Sequence, residues 1–225
     1  MQRSIERVFF FSKFILASDT KMIKNSCFFG FFIEKIIIPP SVERIEQDAF
    51  NSCKLKEIKF SQVSKLKVID KNAFKKSNIY EIIIPSSVET IGEFAFSGCN
   101  NLKSVIFCPD SELKLIDNNV FESCAIENII IPSQVEEICE YSFGGCNKLK
   151  VIIFPKNSKL KIIQKDAFKN SAIEEIIIPS QVEILNGFSC CHSLKNIIFE
   201  DDTHLKKIEE YSFSQSSIES ITIPS

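Results

Sequence analysis

The stretch Ile82-Ile83-Ile84-Pro85-Ser86-Ser87-Val88, continued through Ile91, Phe96 and Cys99 to Leu102, recurs along nearly the whole chain of 225 residues. The Ile-Pro pair returns at intervals of 46, 47, 47 and 45 residues, with its proline at Pro39, Pro85, Pro132, Pro179 and Pro224. A second, related copy lies inside each interval, so the basic unit is about half as long. Self-similarity at a period of roughly 20–50 residues is typical of a solenoid or a propeller.

Each unit closes with six residues patterned apolar-x-x-apolar-x-apolar, in which β-branched and aromatic side chains predominate. This pattern predicts a short strand. Nine such segments start at Ile33, Leu55, Ile79, Leu102, Ile126, Leu149, Ile173, Leu194 and Ile218. Strands that recur every 21–24 residues are too far apart for tight hairpins, so we expect them to stack in parallel, about 4.8 Å apart.

Between the strands lies an Ala-Phe-x-x-Cys element, for which we predict a single helical or 3₁₀ turn with its phenylalanine pointing inward. The phenylalanine follows the first apolar residue of its unit by eight positions in all but one coil. The exception is Val182 and Phe188, six positions apart. We therefore expect that coil to have a shortened convex side.

The run Ile84-Pro85-Ser86-Ser87-Val88-x-x-Ile91-x-x-x-Ala95-Phe96-x-x-Cys99-x-x-Leu102 resembles the BspA-like leucine-rich-repeat family, from about Phe14 to Ser225. The resemblance implies an α/β repeat solenoid dominated by β: a right-handed leucine-rich-repeat solenoid with a parallel sheet on the concave face and short helical or irregular turns on the convex face. It would occupy residues 14–225 in about nine coils, after a degraded N-terminal repeat stub at residues 1–13.

The N-terminal segment combines Arg3 and Arg7 with an apolar run, as a signal peptide does, but Lys13 interrupts the run and no clean cleavage pattern follows. Two matches favour a worn repeat instead. Residues 12–14 match residues 58–60, and residues 21–28 match residues 67–74, both 46 positions apart.

The second position of the strands alternates between acid and base, except at Tyr80. We call this column the charge ladder; it comprises Glu34, Lys56, Tyr80, Lys103, Glu127, Lys150, Glu174, Lys195 and Glu219. In-register stacking would place each lysine beside glutamates, and opposite neighbours contribute roughly 0.2–1 kcal/mol per pair. We interpret the charge ladder as structural, because a slip by one coil would stack acid on acid.

Of the nine cysteines, five lie three residues after the repeat phenylalanine, at Cys53, Cys99, Cys124, Cys146 and Cys191. Serine holds the same place in other coils, which indicates a small-residue packing slot. Stacking brings Cys99, Cys124 and Cys146 close enough for a disulfide to be conceivable. The odd cysteine count and the column pattern favour reduced thiols, and the spacings do not fit zinc signatures.

Other classes of function find little support in the sequence. A net charge of −2 with scattered lysines predicts no nucleic-acid partner, and no apolar run reaches the roughly 18 residues of a membrane span. The pair Cys191 and His192 lacks an orienting third group, and the six glycines form no phosphate loop. We therefore predict no enzyme activity, no catalytic residue, no metal and no cofactor.

The remaining candidate is the outward fifth position of the strands, where seven of nine residues are isoleucine: Ile37, Lys59, Ile83, Ile106, Ile130, Ile153, Ile177, Ile198 and Thr222. The third position, also outward, is mostly polar. An apolar stripe beside a polar one indicates an interaction site, although β-branched residues also suit strand surfaces for structural reasons. Our predicted partner-binding residues are Ile83, Ile106, Ile130, Ile153, Ile177, Ile198 and Lys59.

The sequence thus predicts a non-enzymatic protein-interaction module. The family resemblance implies a cell-surface or secreted, adhesin-like role with a host or matrix protein as partner. The absence of a clear signal peptide, of glycosylation sequons and of paired cysteines favours the alternative, an intracellular leucine-rich-repeat scaffold in the cytoplasm. Neither end has a convincing polar cap, so end-to-end self-association is a further possibility.

Overall fold

A computed structural model describes residues 14–223 of the chain. The predicted N-terminal stub at residues 1–13, with Arg3, Arg7 and Lys13, and the terminal Pro224-Ser225 lie outside these residues.

The described residues form a parallel-strand solenoid of about nine turns, as predicted. Its main row has one strand that was not predicted, β1 (Phe14–Ile15), followed by a strand in each of the nine predicted segments: β3 (Lys35–Ile38), β5 (Glu57–Phe60), β7 (Glu81–Ile84), β9 (Ser104–Phe107), β11 (Asn128–Ile130), β13 (Val151–Ile153), β15 (Glu175–Ile178), β17 (Asn196–Phe199) and β19 (Ser220–Thr222). The first seven strands of this row, from β1 to β13, form one parallel sheet, and its last three, β15, β17 and β19, form a second. The pairing is in register from coil to coil, as between Ile83 and Ile106.

A second row of two-residue strands was not predicted. It comprises β2 (Met22–Ile23), β4 (Arg44–Ile45), β6 (Val68–Ile69), β8 (Thr90–Ile91), β10 (Leu115–Ile116), β12 (Glu137–Ile138), β14 (Ile162–Ile163), β16 (Ile184–Leu185) and β18 (Lys207–Ile208). These strands also pair in parallel, in sheets of four and five. Each contains the second apolar residue of its unit, which in most coils is buried between the two rows of strands.

The phenylalanines form one continuous column through the interior, as the repeat predicted. From Phe28 to Phe188 the neighbouring rings are stacked with centroids 5.0–5.4 Å apart, and Phe213 follows at 6.1 Å. The column continues across the point between β13 and β15 where regular strand pairing is interrupted, because Phe143 and Phe168 remain 5.2 Å apart. The aromatic stack therefore joins the two main sheets into one core.

Of the helical or irregular turns predicted around the phenylalanine, the irregular form is present and the helical or 3₁₀ form is not confirmed: within residues 14–223 this element consists of successive hydrogen-bonded turns. The amides of Ala49, Asn51 and Cys53 bond to carbonyls three residues earlier in the same coil. The intervening amides bond to the next coil instead, Phe50 N–H to Ala73 O at 2.7 Å and Ser52 N–H to Lys75 O at 2.7 Å. A helix would need all these donors for its own backbone.

The turns also explain the residues on either side of the phenylalanine. Positions two before and two after it have positive φ, for example Asp48 and Ser52, both at 57°, except that in the shortened coil of Phe188 the first of these is Gly187, one residue before. Type II turns require this conformation at their third residue. Glycine, asparagine and aspartate adopt it most readily, whereas the aromatic residues Phe94, Tyr141 and Tyr211 adopt it here at a cost in energy.

The shortened coil is confirmed. Only two residues separate Leu185 from Phe188, and Phe188 still joins the column. The chain turns at Gly187, where φ is +111° and a Cβ atom would lie 2.9 Å from the Gln164 carbonyl oxygen.

The worn N-terminal repeat is confirmed in one half and shifted in the other. Met22 aligns through Arg44 with Val68, 46 positions away as predicted. Phe14, however, pairs with Ile36, which pairs with Ile58. The sequence match to Phe60 was therefore two residues out of register in the strand.

Removal of one ring from the phenylalanine column tests its contribution to stability. Phe121 is fully buried between Phe96 and Phe143, so we expect Phe121→Ala to lower the free energy of unfolding by about 3–5 kcal/mol. Urea denaturation followed by circular dichroism measures the loss. Phe29→Ala, at a ring that is 53% exposed, serves as the control, and equal losses in the two variants would contradict the assignment.

Relief of backbone strain should stabilise the fold. Tyr211 has φ of 61° and its side chain is 73% exposed. Because asparagine tolerates this conformation, we expect Tyr211→Asn to raise the free energy of unfolding by about 0.5–1 kcal/mol. The same substitution at Tyr80, half exposed and without positive φ, should give no gain. A lower melting temperature for Tyr211→Asn would show that its side chain stabilises the fold.

Candidate interaction surface

The isoleucine stripe, which we define as Ile83, Ile106, Ile130, Ile153, Ile177 and Ile198, lies on the outer face of the main row. Each of these side chains is 40–58% exposed, while the neighbours on either side in the same strand point into the core. Ile82 and Ile84, for example, are buried on either side of Ile83. In the coil before Ile83, the same column holds Lys59, which is also exposed and interrupts the run of isoleucines.

The stripe runs along a chain of three adjoining depressions. The first, of about 860 Å³, is bounded by Lys59, Tyr80, Ile83 and Pro85. The second, of about 470 Å³, contains Ile106, Ile130 and Ile153, and shares Cys108 with the first. The third, of about 560 Å³, shares Ile153 with the second and extends to Ile177. Together they form a shallow groove with an apolar floor across the main-row strands from β5 to β15.

The charge ladder runs beside this groove. Some of its predicted ion pairs are formed, and others are not. Lys56 contacts Glu34 at 2.7 Å, Lys103 contacts Glu127 at 3.8 Å, and Lys195 contacts Glu219 at 3.5 Å. Lys150 and Glu174 form no ion pair within residues 14–223. All these groups are exposed, so each pair contributes at most about 1 kcal/mol.

The polar third column adds carboxylates at one end of the groove. Hydrogen bonds from Lys35 and then Lys59 hold the pKa of Glu57 below its ordinary value. Glu81 stands next to Glu57 in the parallel register. Glu81 has no ion-pair partner in the described part of the chain, so its charge is available to a ligand.

The predicted cysteine slot is confirmed as a packing position. Cys53, Cys99, Cys124, Cys146 and Cys191 are buried. Four of the five thiols reach a phenylalanine carbonyl of the preceding coil, as Cys146 Sγ does with Phe121 O at 3.1 Å. All nine thiols are unpaired in the structure. Burial raises the pKa of the Cys146 thiol from its ordinary value of 9.0 to about 12, which keeps it protonated and unreactive.

Cys191 and His192 are adjacent in sequence, but their side chains do not share a site. Cys191 points into the core, where its thiol contacts Ser171 and the Phe168 carbonyl. His192 is exposed, and His204 lies at a separate turn, with Nδ1 3.1 Å from Ser180 O. Within residues 14–223, no cluster of three or more His, Cys, Asp or Glu side chains has the geometry of a metal site. The same residues contain no helix long and apolar enough to cross a bilayer.

The repeat, its in-register strands and its phenylalanine column define a leucine-rich-repeat protein. The chain belongs to the BspA-type leucine-rich-repeat family: the profile of the BspA type leucine rich repeat region, in six copies, matches residues 7–122 and 114–225. Leucine-rich-repeat proteins generally bind other proteins, and this membership is consistent with a protein-interaction module. A search of curated proteins gives no match.

Solved structures share the fold. The crystal structure of the pneumococcal vaccine antigen PcpA matches 95% of this chain with a TM-score of 0.72 and 22% identity. A leucine-rich repeat protein from Bacteroides ovatus matches 94% of it with a TM-score of 0.59 and 23% identity. The present chain spans 60% of the PcpA chain and 75% of the other.

The groove itself was not foreseen. Its walls include Pro85, from the recurrent Ile-Pro pair, and Cys108 and Pro155, which follow the alternate strands, where the residue varies from coil to coil. A residue that varies between coils just after the strand was the available sequence signal, but its side-chain packing decides whether it forms a wall.

The raised thiol pKa predicts a loss of stability in alkali. The unfolded chain releases the Cys146 proton above about pH 9, whereas the folded chain holds it until about pH 12. The stabilisation from the neutral thiol is therefore complete below pH 9 and declines as the pH rises toward 12, by at most about 1.4 kcal/mol per pH unit.

Cys146→Ser isolates this effect, since serine fills the equivalent slot at Ser77 and Ser171. With reductant present, we expect the unfolding free energy of Cys146→Ser to fall less steeply between pH 9 and pH 11 than that of the unsubstituted protein. Lysine and tyrosine titrations are common to both proteins and cancel in the comparison. Identical slopes in urea titrations would contradict the assignment.

Proposed function

We propose that this chain is a non-enzymatic protein-interaction module that holds a protein partner in the groove along the isoleucine stripe, in an adhesin-like role at the cell surface. The observation that carries the proposal is the run of six consecutive, half-exposed isoleucines, five of which line three connected depressions. Contiguous exposed apolar surface of this kind marks interaction sites.

The bland explanation, that β-branched residues merely suit strand surfaces, accounts for the choice of isoleucine but not for the groove. Lys59 occupies the same column in a regular strand and pairs with Ile37 in register. The strand therefore tolerates a charged side chain there. Six isoleucines in succession exceed what the backbone requires.

Two settings suit such a module. Membership of the BspA-type family, and a fold shared with a pneumococcal vaccine antigen, support the first setting, exposure at a cell surface with a host or matrix protein as partner. The unpaired, buried thiols favour the second candidate, an intracellular scaffold. Labelling of intact and of permeabilised source cells with an antibody to this protein separates the two. Signal on intact cells supports the surface role, and signal only after permeabilisation supports the scaffold.

Substitution of the stripe tests the binding role. Ile106, Ile130 and Ile153 are 45%, 58% and 48% exposed, so we expect the triple substitution to serine to leave the circular dichroism spectrum and the melting temperature nearly unchanged. Binding to a panel of purified extracellular-matrix and serum proteins, measured by biolayer interferometry, should fall at least tenfold for any protein that the unsubstituted chain binds.

Val63→Ser is the matched control, because Val63 is an apolar residue 73% exposed that lies outside all three depressions. It should bind as the unsubstituted chain does. Undiminished binding by the triple variant would refute the role of the stripe, and collapse of its fold would show that these side chains belong to the core.

A further inference from the structure

The main row restricts what can lie in the groove, because its face offers side chains only. The backbone groups of its strands are largely used in pairing between coils. An occupant must therefore satisfy its own backbone hydrogen bonds or leave them to water. An added β-strand pairs at a sheet edge rather than on a face. An α-helix and a polyproline II segment, whose backbone is solvated, remain.

The charges beside the stripe repeat every two coils. In the charge ladder the acids Glu127 and Glu174 directly precede β11 and β15, and the bases Lys103, Lys150 and Lys195 directly precede β9, β13 and β17. At β7 the ladder residue is Tyr80, and the acid is Glu81 in the adjoining third column, which holds Glu175 at β15. With strands about 4.8 Å apart, like charges recur about every 9.6 Å along the groove. The carboxylates of Glu81 and Glu174 have no ion-pair partner within residues 14–223.

A polyproline II helix fits this period. It has three residues per turn and rises about 3.1 Å per residue, so every third side chain recurs after about 9.3 Å. The mismatch with two coils is about 0.3 Å, and it grows to less than about 1 Å over the five coil steps from Ile83 to Ile198.

An α-helix fits less well. Its pitch of about 5.4 Å exceeds the coil spacing by about 0.6 Å, so over five steps it drifts by about 3 Å, more than half a coil. Its side chains would move from acids onto bases within the length of the stripe.

We infer that the occupant of the groove is an extended polyproline II segment of about eight residues with a basic residue at every third position. Its basic row lies against the acids of β7, β11 and β15, and a neighbouring row of proline or other apolar side chains packs on the isoleucine stripe. Basic side chains suit the groove because six acids but only three bases line its depressions: Glu57, Glu81, Asp110, Glu174, Glu175 and Glu200 against Lys56, Lys59 and Lys150. This inference rests on the proposed function of the stripe and adds the chemistry of the partner.

Four labelled peptides test the inference by fluorescence anisotropy at physiological ionic strength. The first is Pro-Pro-Lys repeated three times. The second has the same composition with its three lysines adjacent, the third carries glutamate in place of lysine, and the fourth is Glu-Ala-Ala-Ala-Lys repeated three times, which favours a helix. We expect the first peptide to bind at least tenfold more tightly than each of the others.

Two variants with the same change of net charge locate the site. Glu81→Gln combined with Glu174→Gln should weaken binding of the first peptide at least fivefold. Glu112→Gln combined with Glu210→Gln, at exposed residues outside the stripe and its bordering columns, should leave it unchanged. Equal loss in both variants would reduce the effect to general charge attraction and overturn the inference.

The other outcomes also discriminate. Equal affinity for the first two peptides would show that the three-residue spacing of the lysines does not matter and would overturn the inference. Tighter binding of the helical peptide would show that the occupant is an α-helix rather than a polyproline II segment. If no peptide binds while the Ile106, Ile130 and Ile153 substitutions still abolish capture of a protein partner, the polyproline inference fails and the proposed function stands. If no peptide binds and the Ile106, Ile130 and Ile153 substitutions leave capture of a protein partner undiminished, both the polyproline inference and the proposed function are refuted.

Discussion

Hydrogen bonding from coil to coil is the constraint on which the rest of the structure depends. In the turns around each phenylalanine, alternate amides bond to the following coil, as Phe74 N–H does to Ala95 O at 2.7 Å. The two rows of short strands do the same on the other sides of the coil. A single coil therefore cannot satisfy its own backbone, and each coil depends on its neighbours. The phenylalanine column fills the space that this bonding encloses.

Because backbone bonds and buried rings hold the coils together, the outer face of the main row is not needed for stability. Ile82 and Ile84 fill the core while Ile83 stands half exposed between them, so one short strand serves stability on one side and recognition on the other. The outward residues are thus under little structural demand. Their pattern can therefore reflect the partner that binds this face. Lys59, which interrupts the column of isoleucines, and Tyr80, which interrupts the charge ladder, line the same depression.

The sequence predicted those features that depend on period and polarity: the main strands, the inward phenylalanines, the small slot at Cys99 and its equivalents, and the shortened coil at Phe188. It failed where backbone bonding between distant residues decides the outcome. The Ala-Phe-x-x-Cys spacing suits a helical turn locally, but the amide of Phe50 bonds to Ala73 in the next coil. Two-residue strands such as Arg44–Ile45 are too short to show alternation. The groove depends on how the side chains beside the strands, such as that of Cys108, pack.

The charge ladder has a consequence for how such a chain can change in length. Insertion or removal of one coil would bring two acids or two bases side by side, as at Glu127 and Glu174 if the coil of Lys150 were lost. Gain or loss of about 47 residues, the spacing from Pro85 to Pro132, keeps acid beside base. The pair of coils is therefore the smallest segment that duplication or deletion can add or remove without a repulsive seam, and the groove would lengthen or shorten in the same increments.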